Sequence, residues 1–463
     1  MKKQSYHLLT IASLTFLQVC ITVTCYAQFS VSPNKRFLLK HDKPFFWLGD
    51  TAWELFHALD SADADTYLKK RSGQGFTVIQ AVVLAELDGL NTPNANGDKP
   101  LIDNDPAKPN ERYFAHVDYI IDKAASYNLS IALLPTWGDK LAKERWGKGP
   151  EIFNDSTADV YAKWIATRYK DRKNIIWILG GDRIPRNETD VNVWRTMGKA
   201  IMKATANKAI ITFHPQPNEK GSAEWYHNDS WLAFNMFQTG HCRDAAVYDK
   251  ITGVYNMSPV KPVIDGEPIY EDHPVCFNAK DLGTSNAYDV RRAAYLSLFA
   301  GSFGHTYGCH DIWQMYSATR EAINGPHMFW SEAVDLPGAT QMKHVRTLFE
   351  SFPITDRVPD QSLIKENNLV SSERIQATRG ADYLMVYSAA GRPFTVSLGR
   401  VGGRQLKGYW YDPKTGKKSI LEAMENKGTR AFKPATSGYG QDWVLVLYNA
   451  EKDFDKAAVI AGR

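Results

Sequence analysis

From Phe45 to about Phe349, short apolar runs alternate with stretches whose apolar residues recur every three or four positions. The runs are Phe45–Gly49, Phe76–Leu84, Ser130–Trp137, Asn174–Leu179, Ala209–Phe213, Leu232–Phe237, Pro262–Asp265 and Gly301–Tyr307. They are mostly continuous, which is the pattern of parallel strands covered on both faces. Between them, Tyr113, Val117, Ile120, Ile121 and Ala124 share one helical face, with Asn110 placed as N-cap. Val160, Tyr161, Trp164 and Ile165 form a second such face after Asn154-Asp155-Ser156, and Val193, Met197, Ile201 and Met202 a third. Eight alternating units predict an α/β fold, a (β/α)8 TIM barrel. Irregular links after the second and sixth strands leave a doubly wound sheet as the alternative. Ahead of the barrel, Phe37-Leu38-Leu39, His41-Asp42-Lys43 and Pro44-Phe45-Phe46 predict a hairpin suited to plugging its floor.

After Arg357 the pattern changes. Tyr383–Tyr387, Phe394–Leu398, Leu406–Tyr411 and Trp443–Tyr448 read as strands, with turn signals at Gly402-Gly403 and Asp412-Pro413-Lys414-Thr415-Gly416. The expected division is a signal peptide at 1–27, a catalytic barrel at 28–357 and a small all-β sandwich at 358–463. The first segment has Lys2 and Lys3, an apolar stretch from Leu8 to Val23, and Cys25-Tyr26-Ala27 before the expected cut. Export to the periplasm or cell exterior follows. No other stretch is long and apolar enough to insert in a membrane. Beyond the leader only Cys242, Cys276 and Cys309 remain, so one disulfide is possible but a fully paired set is not. A net charge of +4 over 463 residues argues against a dedicated nucleic-acid binder.

The strand ends carry the candidate chemistry. A barrel builds its site where its strands end. Two runs end in glycine and then an acid: Gly180-Gly181-Asp182 and Gly266-Glu267. Glycine lets the backbone turn sharply and approach a ligand. Asp182 and Glu267 fall on the fourth and seventh strands, across the barrel from each other, as a two-carboxylate glycosidase requires. A retaining pair would stand about 5–5.5 Å apart. Asp265, two residues before Glu267, is a supporting group or a rival nucleophile. The other strand ends offer substrate-binding candidates: Asp50 and Trp53, Gln80 and Asp88, Trp137, His214, Gln238, His310 and Trp313. The thirteen Trp and twenty-two Tyr suit a cleft that stacks on sugar rings, although aromatics also serve as core.

Each acid has a plain structural alternative. Asp182 could cap a helix or pair with Arg183 or Arg186, Glu267 could sit in a buried ion pair, and Asp50 could bond a neighbouring loop amide. Among His241, His305, His310 and Cys309 no recognised metal-ligand spacing occurs, so neither metal nor cofactor is expected. No Gly-x-Ser-x-Gly elbow or phosphate-cradling glycine loop is present. A non-catalytic glycan-binding or adhesion protein on the same scaffold is the competing reading.

Several segments together are similar to a known family. Gly49-Asp50-Thr51-Ala52-Trp53, Trp177 to Asp182, Asp265 to Tyr270, Gly304 to Gly308 and Asp335 to Met342 resemble the apiosidase-like barrels of glycoside hydrolase family 140. Gly408 to Pro413 and Asp442 to Leu447 resemble the β-domain named collagen-binding that follows that barrel. The resemblance implies a retaining enzyme on pectin that releases apiose-containing side chains from rhamnogalacturonan II. It also implies Asp182 as acid/base and Glu267 as nucleophile. Related barrels carry Asn-Glu at the fourth strand where this chain has Gly181-Asp182, so substrate must sit nearer that strand.

Overall fold

The structure is a computed structural model that describes residues 28–366 and 369–454. The expected signal peptide lies outside the described residues. The chain begins with a three-stranded antiparallel sheet, β1 (Phe29–Val31), β2 (Leu38–Lys40) and β3 (Lys43–Phe45). The turn between β2 and β3 uses His41 and Asp42, both at positive φ (50° and 58°), as a tight two-residue hairpin requires. Lys40 Nζ donates to Ser130 Oγ at 3.4 Å. Ser130 begins a barrel strand, so the hairpin lies under the floor as expected.

Eight parallel strands follow: β4 (Trp47–Thr51), β5 (Val78–Leu84), β6 (Ser130–Thr136), β7 (Ile175–Gly180), β8 (Ile211–His214), β9 (Asn235–Gln238), β10 (Val263–Glu267) and β11 (Gly304–Tyr307). One hydrogen-bonded sheet runs β11-β4-β5-β6-β7-β8, and β10 pairs with β9. The ring closes through looser seams. Ala233 N bonds Ile211 O at 2.8 Å between β8 and β9, and Phe303 N bonds Val263 O at 3.0 Å between β10 and β11. This is the expected barrel, and the doubly wound alternative is set aside. Every residue of these strands is buried, which explains their unbroken apolar character. Several strands begin later than their apolar runs, because the first residues of a run such as Leu232-Ala233-Phe234 serve the approach loop.

The principal helices are α1 (Ser61–Gly73), α2 (Glu111–Ser126), α3 (Asp155–Tyr169), α4 (Glu188–Ala204), α5 (Val247–Tyr255), α6 (Ala287–Phe299) and α7 (Pro337–Glu350). Between β8 and β9 only the single turn Ala223–Tyr226 forms. Asn110 caps α2 through Arg112 N, and Asn154 closes a reciprocal capping box with Thr157 on α3. The predicted inward face of α2 is fully buried. Val160 of α3 is the exception among the predicted faces: it is 43% exposed, because Tyr161 and Ile165 already fill that stripe.

The C-terminal region has β12 (Val358–Pro359), β13 (Ile375–Arg379), β14 (Tyr383–Ser388), β15 (Phe394–Ser397), β16 (Gln405–Tyr411), β17 (Lys418–Glu425), β18 (Thr429–Phe432) and β19 (Trp443–Asn449). Six form an antiparallel sheet, β12-β13-β14-β19-β16-β17, and the pair β15-β18 faces it as a small sandwich. Alternation divides the large sheet cleanly. Leu384, Val386, Leu445 and Leu447 face the sandwich interior, while Tyr383, Met385, Tyr387, Val444 and Val446 join the barrel's core. At that junction the Tyr295 and Tyr387 rings stack at 4.9 Å, and the Arg291 guanidinium forks onto Asp442. Among the described residues, no helix is long and apolar enough to cross a membrane.

Candidate active site

At the end of β7 three consecutive residues take positive φ: Gly180 (85°), Gly181 (123°) and Asp182 (46°). A Cβ on Gly180 would lie 2.4 Å from His214 O, and one on Gly181 would lie 2.6 Å from the Trp137 ring. Only glycine fits between those walls. Aspartate is among the few other residues that tolerate the left-handed region. The chain therefore turns out of the sheet and presents Asp182 at the rim, its side chain 22% exposed.

Glu267 ends β10 after a bulge that shifts the register between Asp265 and Glu267. Its main-chain oxygen accepts from Thr239 N at 3.1 Å, which ties it to the end of β9. His214 Nε2 lies 2.9 Å from Glu267 Oε2, and His241 Nε2 lies 3.5 Å from Oε1. Gln80 supports the same corner from below, donating to Gly266 O at 2.9 Å.

The two carboxyls are pushed in opposite directions. Asp182 is raised to about 6, by burial and then by the Glu267 charge, against the pull of Arg183 and His214. Burial would raise Glu267 as well, but the nearby His214 and His241 outweigh it and hold the carboxyl well below its ordinary value. Two interacting carboxyls with environments this different divide into one that keeps a proton and one that does not. Asp265 is raised to about 7 by burial, although Thr239 Oγ1 donates to it at 2.6 Å. Its fully buried, readily protonated carboxyl is a poor rival nucleophile.

Aromatic walls stand around the pair. Trp53 lies 5.1 Å from Trp137 and 5.3 Å from His214, ring to ring, and all three are buried. Gln238, at the end of β9, lies beside Asp182 and pulls its carboxyl down. Trp313 Nε1 donates to His310 Nδ1 at 3.3 Å, and His310 meets His273, which stacks on His241. Trp53, Trp137, His214, Gln238, His310 and Trp313 thus gather with Asp182 and Glu267, and Gln80 sits beneath.

Two sequence candidates are not brought to this cluster. Asp50 faces α1 behind the barrel, where its carboxylate accepts from the Tyr67 hydroxyl and the Arg71 guanidinium. The alternation of β4 explains this: the next residue, Thr51, is the one that meets Gln80 on the inside. Asp88 stays in the loop after β5 at positive φ (61°), accepting from Asn91 Nδ2 at 2.8 Å and from Thr92 Oγ1 at 3.3 Å. Its acidity serves a turn.

Other groups at the site were given no role in the sequence reading. Glu86 is raised well above its ordinary value by burial and by the Asp182 and Asp139 charges, which makes it a third acid beside Asp182. Its signal was its place just beyond β5. Burial, then the Glu267 charge, raise the Tyr270 hydroxyl well above its ordinary value, and it sits three residues after Glu267, inside the same motif. Cys242 and Cys276 form a disulfide, the pairing the cysteine count had left open. Both lie beside Asp244, but the bond leaves neither sulfur free to ligate a metal.

Residues 32–356 match the family model described as "Apiosidase-like, catalytic domain". Residues 358–448 match the one described as "Putative collagen-binding domain of a collagenase". A solved glycoside hydrolase is 36% identical with TM-score 0.84, over 92% of this chain and 98% of its own. A structure from Bacteroides vulgatus ATCC 8482, described as a family 5 glycoside hydrolase, is 35% identical with TM-score 0.85, over 92% and 95%. A third, from the same bacterium, shares the fold at 16% identity and TM-score 0.68, over 91% and 82%. No curated protein sequence matches the chain.

Proposed function

The chain belongs to the apiosidase-like family of glycoside hydrolases, and on that premise we propose that it is an exported, retaining enzyme that releases apiose-linked side chains from rhamnogalacturonan II in plant pectin. The observation that carries this reading is the placement of Asp182 and Glu267 at the ends of β7 and β10, with His214 Nε2 2.9 Å from Glu267 Oε2, in environments that push the two carboxyls in opposite directions. Glu267 attacks the anomeric carbon as the glycosidic bond breaks, and Asp182 gives its proton to the departing oxygen. In the second step Asp182 takes a proton from water, whose oxygen displaces Glu267 and frees the sugar. The electron pair of the covalent ester returns to the Glu267 carboxylate. No metal or cofactor enters either step. His214 and His241 keep Glu267 ionised, Arg183 steadies Asp182, and Trp53 and Trp137 offer flat faces to the sugar. His310, Trp313 and Gln238 complete the wall, and the C-terminal sandwich acts as a support.

The test is incubation of the purified protein with rhamnogalacturonan II oligosaccharides and mass analysis of the products. The reading expects side chains that end in apiose, and their loss on replacing either acid. Binding without turnover would favour the non-catalytic reading. Turnover only on other glycosides would retire apiose as the substrate.

A further inference from the structure

Beyond β9 the chain runs Thr239-Gly240-His241-Cys242, and Cys242 is bridged to Cys276. Beside the bridge, Cys276 N donates to His241 O at 2.9 Å, so covalent bond and hydrogen bond join the same two loops. Cys276 and Phe277 both take positive φ (50° and 59°), and Phe277 turns back to meet the His241 ring at 5.7 Å. On its other sides His241 meets Tyr270 at 4.5 Å and lies flat against His273 at 4.1 Å. His273 is itself held, with Nδ1 2.7 Å from Pro274 O and its ring against His310 at 4.5 Å. Burial, then the neighbouring His241 and His310, keep His273 uncharged near neutral pH, and burial does the same for His310. The imidazole of His241 is thus clamped on three faces, with Nε2 directed at Glu267 Oε1.

We propose that the Cys242–Cys276 disulfide is a positioning element of the active site: it pins His241 against His273 so that its Nε2 keeps Glu267 ionised. This rests on the reading of Glu267 as the nucleophile. Without the bridge, the loops are joined here by that backbone hydrogen bond and, on the side away from His241, by Arg243, which donates to Leu282 O and Thr284 O; the ring that must stay within reach of a carboxylate sits directly beside the severed link. The groups facing Glu267 are then His214, His241, Tyr270, Asp182 and Asp265. Only His241 among them adjoins the bridge in sequence.

The experiment compares the full chain with C242S/C276S, His241→Leu and His241→Gln. The Glu267 carboxyl is titrated by carbon-13 NMR, its signal assigned by its disappearance in Glu267→Gln. The expected result is a midpoint about one pH unit higher in both C242S/C276S and His241→Leu, the size expected when a close partner is lost. The acidic limb of the kcat/KM profile should move with it, and His241→Gln, which keeps a donor, should recover most of the shift. If C242S/C276S does not fold, the bridge is reduced and alkylated in the folded wild-type protein and the midpoint read there, with the same rise expected. An unchanged midpoint in His241→Leu, or in a folded C242S/C276S, overturns the proposal. The titration reads the carboxyl itself, so activity surviving in Glu267→Gln would dismiss the nucleophile reading without touching this result.

Discussion

At the junction between barrel and sandwich, Arg291 of α6 reaches both oxygens of Asp442, and Tyr387 donates to the same carboxylate at 3.2 Å. In the cleft, half-buried Asp182 and buried Glu267 face each other's charge, and Trp137 Nε1, Gln238 Oε1 and His241 Nδ1 are buried without a hydrogen-bond partner in the protein. Both regions bury charge. The junction pairs it fully, which fixes one sheet and a helix in one arrangement. The cleft leaves it partly unpaired, which costs stability but leaves groups ready for a substrate. Stability and chemistry therefore separate in space, and substitutions in the two regions should fail in different ways.

The largest effect should be loss of turnover in Glu267→Ala, with the fold intact and no rescue by an activated leaving group. Asp182→Ala should lose about a hundredfold to ten-thousandfold, the usual worth of a general acid. That loss should shrink on substrates whose leaving group needs no proton. Steady-state kinetics on matched aryl and sugar glycosides checks both, and equal losses on the two substrates in Asp182→Ala, or rescue of Glu267→Ala by the aryl substrate, would break the division of roles.

Arg291→Met should do the reverse. Leaving Asp442 buried and unpaired should cost about 3–5 kcal/mol, read as a lower melting temperature, while kcat of the folded fraction stays near wild type. A large fall in kcat with unchanged stability would erase the contrast.

Asp182→Asn should sharpen it from the other side. The Asp182 carboxyl is raised in the folded chain, so its ionisation favours unfolding. The stability it contributes is complete below pH 4 and is lost as pH rises through about 6. The inactive asparagine variant should therefore be more stable than wild type above pH 6, by about 1–3 kcal/mol, with the difference fading toward pH 4. Wild-type turnover should fall as pH rises past the same value, since the acid loses its proton. Denaturant titrations at several pH values measure the first, and a kcat/KM profile the second.

The smallest effect belongs to Ile420, 77% exposed on the outer strand β17. Ile420→Thr should change stability by less than about 0.5 kcal/mol.

Legibility in the sequence follows the same division. The eight barrel strands are buried on both faces, so their apolar runs announce them without tertiary information. β17 escaped notice because its exposed residues, Lys418, Ser419 and Glu422 among them, show no period of two. The glycines before Asp182 and Glu267 marked the acids because each stands where a side chain would strike a neighbour. Asp50 was misplaced because a strand-end acid can face either way, and only the register against β5 decides. His241 could not be assigned a role from its motif. Its function depends on a bridge to a cysteine 34 residues away, and a count of three cysteines cannot choose the pair.

The most direct test of the central claim is the configuration of the first product. Hydrolysis in the presence of methanol, followed by NMR, captures the sugar as a methyl glycoside before its anomers equilibrate. A covalent intermediate on Glu267 predicts a methyl glycoside with the substrate's own anomeric configuration. An inverted first-formed product, with no methyl glycoside of retained configuration, would show that water attacks directly and that Glu267 is not the nucleophile.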